Sequence, residues 1–334
     1  CPRSRRRGPF GSKPLATMTE VKKAGVLGSP ISHSLSPVLH RAAYVALGLD
    51  WEYDAFEVEQ DQLSGFLRNC GPEWAGLSLT MPLKEQVLAY VDRLTPLAEK
   101  VRAANTVVIS DGQLVGDNTD VAGMVNAINS AIGTWPLGAT AVSKAPRDEW
   151  SARTALIIGA GATARSALAA IAHCGQPDSV YIVARNQAAA AQLAEDARAW
   201  DLTAQVVPTT PAQLVTDAPE LWDCDLVVST VPGTAWNDPS ACFPQVIAHG
   251  QSASRSLETL GAASNIRTNT SVLLDVAYDP WPTPLTTWWK GTDRPVATGI
   301  DLLLAQAAEQ VRLMTGRPAP VAAMRRAIEE HMLG

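Results

Sequence analysis

No Cys-x-x-Cys pair occurs in this chain of 334 residues. Its five cysteines, Cys1, Cys70, Cys174, Cys224 and Cys242, are scattered and odd in number. That argues against a disulfide framework or a zinc site and for reduced thiols. Of five histidines only His33 and His40 are near each other, seven apart across a proline, with no acidic third ligand at metal spacing. The expectation is no metal and a structural or surface role for both. No apolar run approaches the roughly 20 residues of a membrane span. The opening Cys-Pro-Arg-Ser-Arg-Arg-Arg has no apolar core of a secretory signal. No internal repeat is visible. These absences point to a cytoplasmic enzyme without a membrane partner.

Acidic residues are absent from the first 17 positions, which carry Arg3, Arg5, Arg6, Arg7 and Lys13. The whole chain has a net charge of −6, so the rest has 22 basic against 33 acidic residues, a net −11. An acidic body argues against nucleic acid as a partner. Residues 1–20 read as a disordered basic tail, upstream of a possible start at Met18. The length favours two domains. A content of 46% hydrophobic and 18% charged residues suits an ordinary buried core.

The pattern is α/β throughout. Strands are expected at Lys23–Gly28, Trp51–Val58, Gly76–Met81 and Thr106–Ser110, with Gln113–Val115 returning across Asp111-Gly112, a two-residue hairpin signal. In Gly76–Met81, Leu77, Leu79 and Met81 share one face. Helices follow Ser36-Pro37, with Ser36 as N-cap and a stop at Gly48, then around Leu63, Phe66 and Leu67, and after Pro82 through Val87, Leu88 and Val91. Farther on, strands at Thr154–Ile158, Val180–Ala184, Ala204–Val207, Leu226–Ser229 and Val272–Val276 are spaced for βα units. Helices are read at Ala164–Ala172, 188–199, Ile300–Leu313 and Val321–Met332. Residues 134–152 and 248–271 look like surface insertions.

Gly159-Ala160-Gly161-Ala162-Thr163-Ala164 fits G-x-G-x-x-A between a strand and a helix, the context that gives this pattern meaning. Gly159 allows the tight turn, Gly161 lets backbone approach a pyrophosphate, and Ala164 lets helix and strand pack closely. The helix N-terminus then offers free N–H groups to phosphate. The next strand ends Val183-Ala184-Arg185-Asn186, without the acid that binds a ribose 2′-hydroxyl. Arg185 can pair with a 2′-phosphate instead, which favours NADP over NAD. A tight turn that binds nothing, and a solvated Arg185, are the plain alternatives.

Lys84 follows Pro82, and Asp120 opens the helix after Asn118-Thr119. An amine and an acid in compact polar motifs can exchange the proton that accompanies a hydride. Each residue alone reads as a solvated lysine or a capping aspartate.

Several motifs in order resemble the shikimate dehydrogenase family, most of all its actinobacterial members. They are Gly28–Pro37 (Gly-Ser-Pro-Ile-Ser-His-Ser-Leu-Ser-Pro), Ser78–Lys84 (Ser-Leu-Thr-Met-Pro-Leu-Lys), Ala104-Asn105-Thr106, Asn118-Thr119-Asp120, Gly159–Ala164, Asp275–Pro280 and Gln306–Gln310. The likeness spans about Ala24 to Ala327. It implies NADPH-dependent reversible reduction of 3-dehydroshikimate to shikimate, on the route to chorismate and aromatic amino acids. It implies an α/β fold with a discontinuous substrate domain, 21–120 plus 299–334, and a Rossmann-type dinucleotide domain, 121–298. Lys84 and Asp120 correspond to the catalytic pair. Ser34 and Ser36 correspond to residues holding the substrate carboxylate; Thr80, Asn105 and Gln306 to those reading ring hydroxyls; Tyr278 lines the same pocket. The cofactor contacts correspond to Gly159, Ala160, Gly161, Ala162, Thr163, Ala164, Arg185, Asn186, Thr230 and Gly299. Asn186 stands where the family often has a hydroxyl, and Ser229-Thr230-Val231-Pro232 where Asn-Ala-Thr-Pro is common.

Three alternatives stay open at this level. One is a quinate/shikimate or aminoshikimate enzyme using NAD or NADP; Ser36, where quinate-preferring relatives tend to carry Thr, leans towards shikimate. Another is a non-catalytic sensor, which would be expected to lose Lys84 or Asp120. The last is nucleic-acid binding through the basic tail. The oligomer is expected to be a monomer or homodimer.

Overall fold

The computed structural model describes residues 21–133, 151–236, 243 and 271–333. The basic tail and nearly all of the 134–152 and 248–271 segments lie outside them.

Among the described residues the fold is mixed α/β, built on two six-stranded sheets. The first runs in the order β2-β1-β3-β5-β6-β4. Its strands are β1 (Lys22–Gly28), β2 (Trp51–Glu57), β3 (Trp74–Leu79), β4 (Arg93–Leu94), β5 (Thr106–Ser110) and β6 (Gln113–Asp117). β1 is parallel to β2 and β3, whereas β3, β5 and β6 are successively antiparallel. Asp111 and Gly112 have φ of 52° and 75°. Left-handed conformation at both turn residues matches the right-handed twist of the hairpin strands, so Asp-Gly pins the β5–β6 register.

Strand β3 ends at Leu79, two residues earlier than the alternation suggests, and Met81 is exposed. Pro82 cannot donate to a ladder, and the chain turns there, with the Leu83 N–H bonded to the Thr80 carbonyl. The helix expected after Pro82 is only a 3₁₀ turn at Gln86–Ala89. The same region holds β4 and a short helix, α3 (Pro96–Val101), which the sequence reading passed over.

The second sheet is wholly parallel, in the order β12-β11-β10-β7-β8-β9. It comprises β7 (Thr154–Ile158), β8 (Ser179–Val183), β9 (Ala204–Val206), β10 (Leu226–Ser229), β11 (Val272–Asp275) and β12 (Val296–Ala297). Counted from β7, this is the 3-2-1-4-5-6 order of a doubly wound, Rossmann-type sheet, with its topological switch between β7 and β10. β10 and β11 are buried along their full length. Helices cover both faces of such a sheet, so its strands read as unbroken apolar runs.

The helices that frame the sites are α1 (Ser36–Leu47), α4 (Asp120–Ala131), α5 (Ala162–Cys174), α6 (Gln187–Ala197) and three C-terminal ones. Those are α8 (Pro284–Lys290), α9 (Gly299–Thr315) and α10 (Val321–Leu333); α2 (Leu63–Arg68) and α7 (Leu214–Asp217) lie elsewhere. Thr298 caps α9 in a reciprocal box with Asp301. Leu35, not Ser36, is the N-cap of α1, and no side chain caps it. Ser36 is already helical and buried, so the Ser36 hydroxyl is not spent on the helix end. Met124 and Ile128 of α4 join the core beneath the parallel sheet, while α9 closes over the first sheet through Leu304, Ala307 and Val311.

Candidate active site

Two concavities adjoin at the start of α5. One, of about 270 Å³, is walled by both β-systems and by α9. The other, an open cleft of about 530 Å³, lies at the carboxyl ends of β7, β8 and β10. That is the crevice position where doubly wound sheets bind ligands.

The smaller cavity is polar at its centre. Lys84 sits in the turn after β3, its carbonyl accepting from the Ala104 N–H at 2.8 Å. Asp120 is the first residue of α4. The Lys84 Nζ donates to Asp120 Oδ2 at 2.7 Å, with side chains only 15% and 6% exposed. Burial removes most of the screening by water, so the attraction within this pair is stronger than in an exposed ion pair. Asp120 Oδ1 accepts from the Asn105 amide at 2.8 Å. Asn105 also donates to Gln306 Oε1 at 3.0 Å, while its own Oδ1 accepts from the Thr119 N–H at 2.8 Å and from the Thr106 hydroxyl at 3.0 Å. Both polar ends of this buried amide are therefore spoken for, which fixes which way it faces.

Ser34, Ser36, Thr80, Lys84, Asn105, Asp120, Tyr278 and Gln306 all line this cavity. Eight residues drawn from six stretches of sequence thus share one space. Ser78 and Gln310 line it too, and sequence reasoning missed both. Ser78 donates to Gln310 Oε1 at 2.8 Å and accepts from the Tyr53 hydroxyl at 2.7 Å. Gln310 Nε2 donates to Thr106 Oγ1 at 3.1 Å. Gln310 lies one helical turn beyond Gln306, and that i, i+4 spacing was the available signal. His40 is fully buried behind them, stacked on Tyr53 at 4.0 Å and within 3.2 Å of Gln310 Oε1. Burial pulls its imidazole down to about 4, partly opposed by the Gln310 bond, so the ring is neutral.

The open cleft is lined by Gly159, Ala160, Gly161, Arg185, Asn186 and Thr230. Gly159 has φ of +115°, and a Cβ there would come within 2.2 Å of Thr230 Oγ1, so this turn admits only glycine. Gly161 is the N-cap of α5, without a side-chain cap, and a Cβ on it would meet nothing. An uncapped helix start behind an open glycine fits a pyrophosphate. Arg185 is the charged group among the lining residues, and no acid stands with it. That fits a 2′-phosphate better than a free ribose hydroxyl. The Asn186 carboxamide accepts from the Ala189 N–H and caps α6.

Four of the expected cofactor residues lie elsewhere. Thr163 and Gly299 line the smaller cavity, and Ala162 and Ala164 line neither space. Ala164 is fully buried, because its face of α5 packs on the sheet. A Cβ on Gly299 would approach the Ala277 carbonyl to 2.4 Å, so its smallness serves close backbone packing beside the cavity.

Asp275, at the end of β11, anchors the segment that carries Tyr278. Its carboxylate accepts from the Thr283 and Thr286 hydroxyls at 2.5 and 3.3 Å and from the Ala277 N–H at 3.4 Å. Burial nevertheless pushes it up to about 6, above the ordinary 3.8, with these bonds opposing. A raised folded value means the native state holds this proton more tightly than the unfolded chain. The group's contribution to stability is complete below about pH 4 and is lost as pH rises through about 6, about 3 kcal/mol at most. Denaturant titrations at pH 4 and 7 should therefore show wild type losing more stability than Asp275→Asn between the two.

Family models agree with the geometry. Residues 26–107 match the shikimate dehydrogenase substrate binding domain, and residues 299–329 match the shikimate 5'-dehydrogenase C-terminal domain. A shikimate dehydrogenase (NADP(+)) of Citrifermentans bemidjiense is 32% identical over 310 residues, covering 92% of this chain and 95% of the relative. The chain belongs to the shikimate dehydrogenase family. Among solved structures, the Mycobacterium tuberculosis shikimate dehydrogenase is 34% identical with a TM-score of 0.70, over 92% of this chain and 99% of that one. The Thermus thermophilus enzyme, solved with NADP(H) and shikimate, is 28% identical with a TM-score of 0.68, again over 92% and 99%. Within this shikimate dehydrogenase family member, described residues contain no cluster of metal-ligating side chains and no helix long and apolar enough to cross a membrane.

Proposed function

We propose that this chain catalyses the reversible NADP(H)-dependent interconversion of 3-dehydroshikimate and shikimate, on the route to chorismate and aromatic amino acids. The observation that carries this reading is the Lys84–Asp120 contact of 2.7 Å in a small polar cavity adjoining a glycine-walled cleft. NADPH bound in that cleft supplies the hydride for the ketone carbon. Lys84 delivers the proton to the carbonyl oxygen, and Asp120 orients Lys84 and binds a substrate hydroxyl. Ser34 and Ser36 hold the carboxylate, Thr80, Asn105 and Gln306 read the hydroxyls, and Tyr278 lines the wall. A small polyol acid is selected by such neutral partners because a missing hydroxyl would leave them unpaired.

The substrate domain is residues 21–120 with 299–334, and the dinucleotide domain is 121–298. The protein works in the cytoplasm, without nucleic acid, as a monomer or homodimer.

The test is NADPH formation from shikimate, with quinate and NAD in parallel. Turnover of shikimate with NADP bears out the reading; a folded protein that binds NADPH but turns over neither acid with either cofactor ends it. Arg185→Ala should raise the KM for NADP about 10- to 100-fold, the range of a lost charge-assisted bond, with far less effect on NAD. An equal effect on both cofactors would remove Arg185 from the 2′-phosphate.

A further inference from the structure

Each member of the catalytic pair has a near neighbour in the chain that is bonded to α5. Glu85, adjacent to Lys84, forms an ion pair with Arg165 Nη1 at 2.9 Å. Asn118, two residues before Asp120, donates to Ser166 Oγ at 3.1 Å, and its Oδ1 accepts from the Val121 N–H at 3.2 Å. Arg165 and Ser166 are consecutive on α5. The first residues of the same helix line both spaces, Gly161 the cleft and Thr163 the cavity.

Arg165 is no free surface arginine. Its side chain is 19% exposed, and its Nε lies 3.4 Å from Asp196 Oδ2 on α6. Asp196 is paired in turn with Arg102, just after α3. The Asn118–Ser166 bond is buried at both ends. One helix therefore grips the Lys84 turn through a guanidinium and the Asp120 turn through a hydroxyl. Its uncapped end faces the nucleotide cleft.

We propose that Arg165 is a positioning residue that couples occupation of the nucleotide cleft to the placement of Lys84. This rests on the functional reading above. A helix is stiff along its axis, so a displacement of the first turn of α5 on taking up a pyrophosphate reaches Arg165 within one turn. The guanidinium passes it to Glu85, and the chain passes it to Lys84, whose carbonyl is held by Ala104. Ser166 and Asn118 carry the same displacement to Asp120. Coupling of this kind is reciprocal: substrate in the cavity must alter cofactor affinity by the same factor as cofactor alters substrate affinity.

The test uses shikimate with NADPH, a pair that cannot react together. The dissociation constant of NADPH is measured by calorimetry with and without saturating shikimate, and the ratio is the coupling factor. Wild type should give a ratio different from one. Arg165→Met and Glu85→Gln should each move it towards one by about two- to fivefold, the scale of a partly exposed ion pair. The double variant should do no more than either single one, and Arg165→Lys should recover part of the effect. A merely structural role would weaken the separate affinities and leave the ratio alone. An unchanged ratio in both single variants, or a wild-type ratio of one, overturns the proposal. Glu85 is half exposed, so Glu85→Gln keeps the test valid even if Arg165→Met folds poorly. Wild type that binds neither NADPH nor shikimate would instead refute the functional reading itself.

Discussion

Replacing Lys84 by Ala should lower kcat for shikimate oxidation by about 10²- to 10⁴-fold, the usual contribution of a positioned acid–base group. NADP(H) affinity should hardly change, because Lys84 lines the smaller cavity and not the cleft of Gly159, Gly161 and Arg185. The fold should survive: removing the amine leaves Asp120 bonded to the Asn105 amide. The separation of effects is the diagnostic part. Loss of an interaction made only in the transition state lowers kcat and kcat/KM together, whereas lost ground-state binding would raise KM alone. Steady-state rates beside NADPH fluorescence titrations decide between them. A variant retaining wild-type kcat would remove Lys84 from the chemistry.

Asn105→Ala should be the costliest substitution that leaves both catalytic side chains in place. Asn105 is 1% exposed, and its side chain bonds Asp120, Gln306, Thr106 and the Thr119 backbone. Truncation strands a buried Thr119 N–H and removes one partner of the Asp120 carboxylate. Each such loss costs about 1–3 kcal/mol, so about 3 kcal/mol of unfolding free energy is expected to go. Because Asp120 then loses its second anchor, kcat/KM should fall about 100-fold, beyond what instability explains at low temperature. Chemical denaturation and rates on the same preparation test both parts. Rates near wild type in a destabilised protein would make Asn105 a purely structural amide.

The contrast between Lys84 and Ser36 shows how far linear reading reaches. The local motifs around Lys84, Asp120 and Gly159 name chemistry because turn formation, helix starts and phosphate cradles are short-range matters. The same local logic made Ser36 a helix cap, and there it went astray. Leu35 takes the cap position and Ser36 is turned inward, an outcome decided by packing against β1 and β2 rather than by propensity. The helix expected after Pro82 failed for a related reason. Apolar spacing at Val87, Leu88 and Val91 was real, but the chain there must hold Lys84 by the Ala104 N–H, and only one 3₁₀ turn fits.

The sequence by itself determined the α/β alternation, the Asp111-Gly112 hairpin and the glycine turn before α5, and each of these follows from short-range backbone sterics or from hydrophobic period, which act over a few residues. The polar residues that meet in the small cavity were named through the resemblance of their motifs to a family, not through any local rule. Tertiary structure alone decided the rest. It chose which oxygen of Asp120 faces Lys84 and which faces Asn105. It placed Gln310 beside Ser78, buried His40 in its neutral form, and set Arg165 against Glu85 across the junction of the two sheets. Those contacts join residues 15 to 270 positions apart, and no periodicity or turn rule sets them. They are selected only when the sheets and α9 close together and every buried donor must find an acceptor.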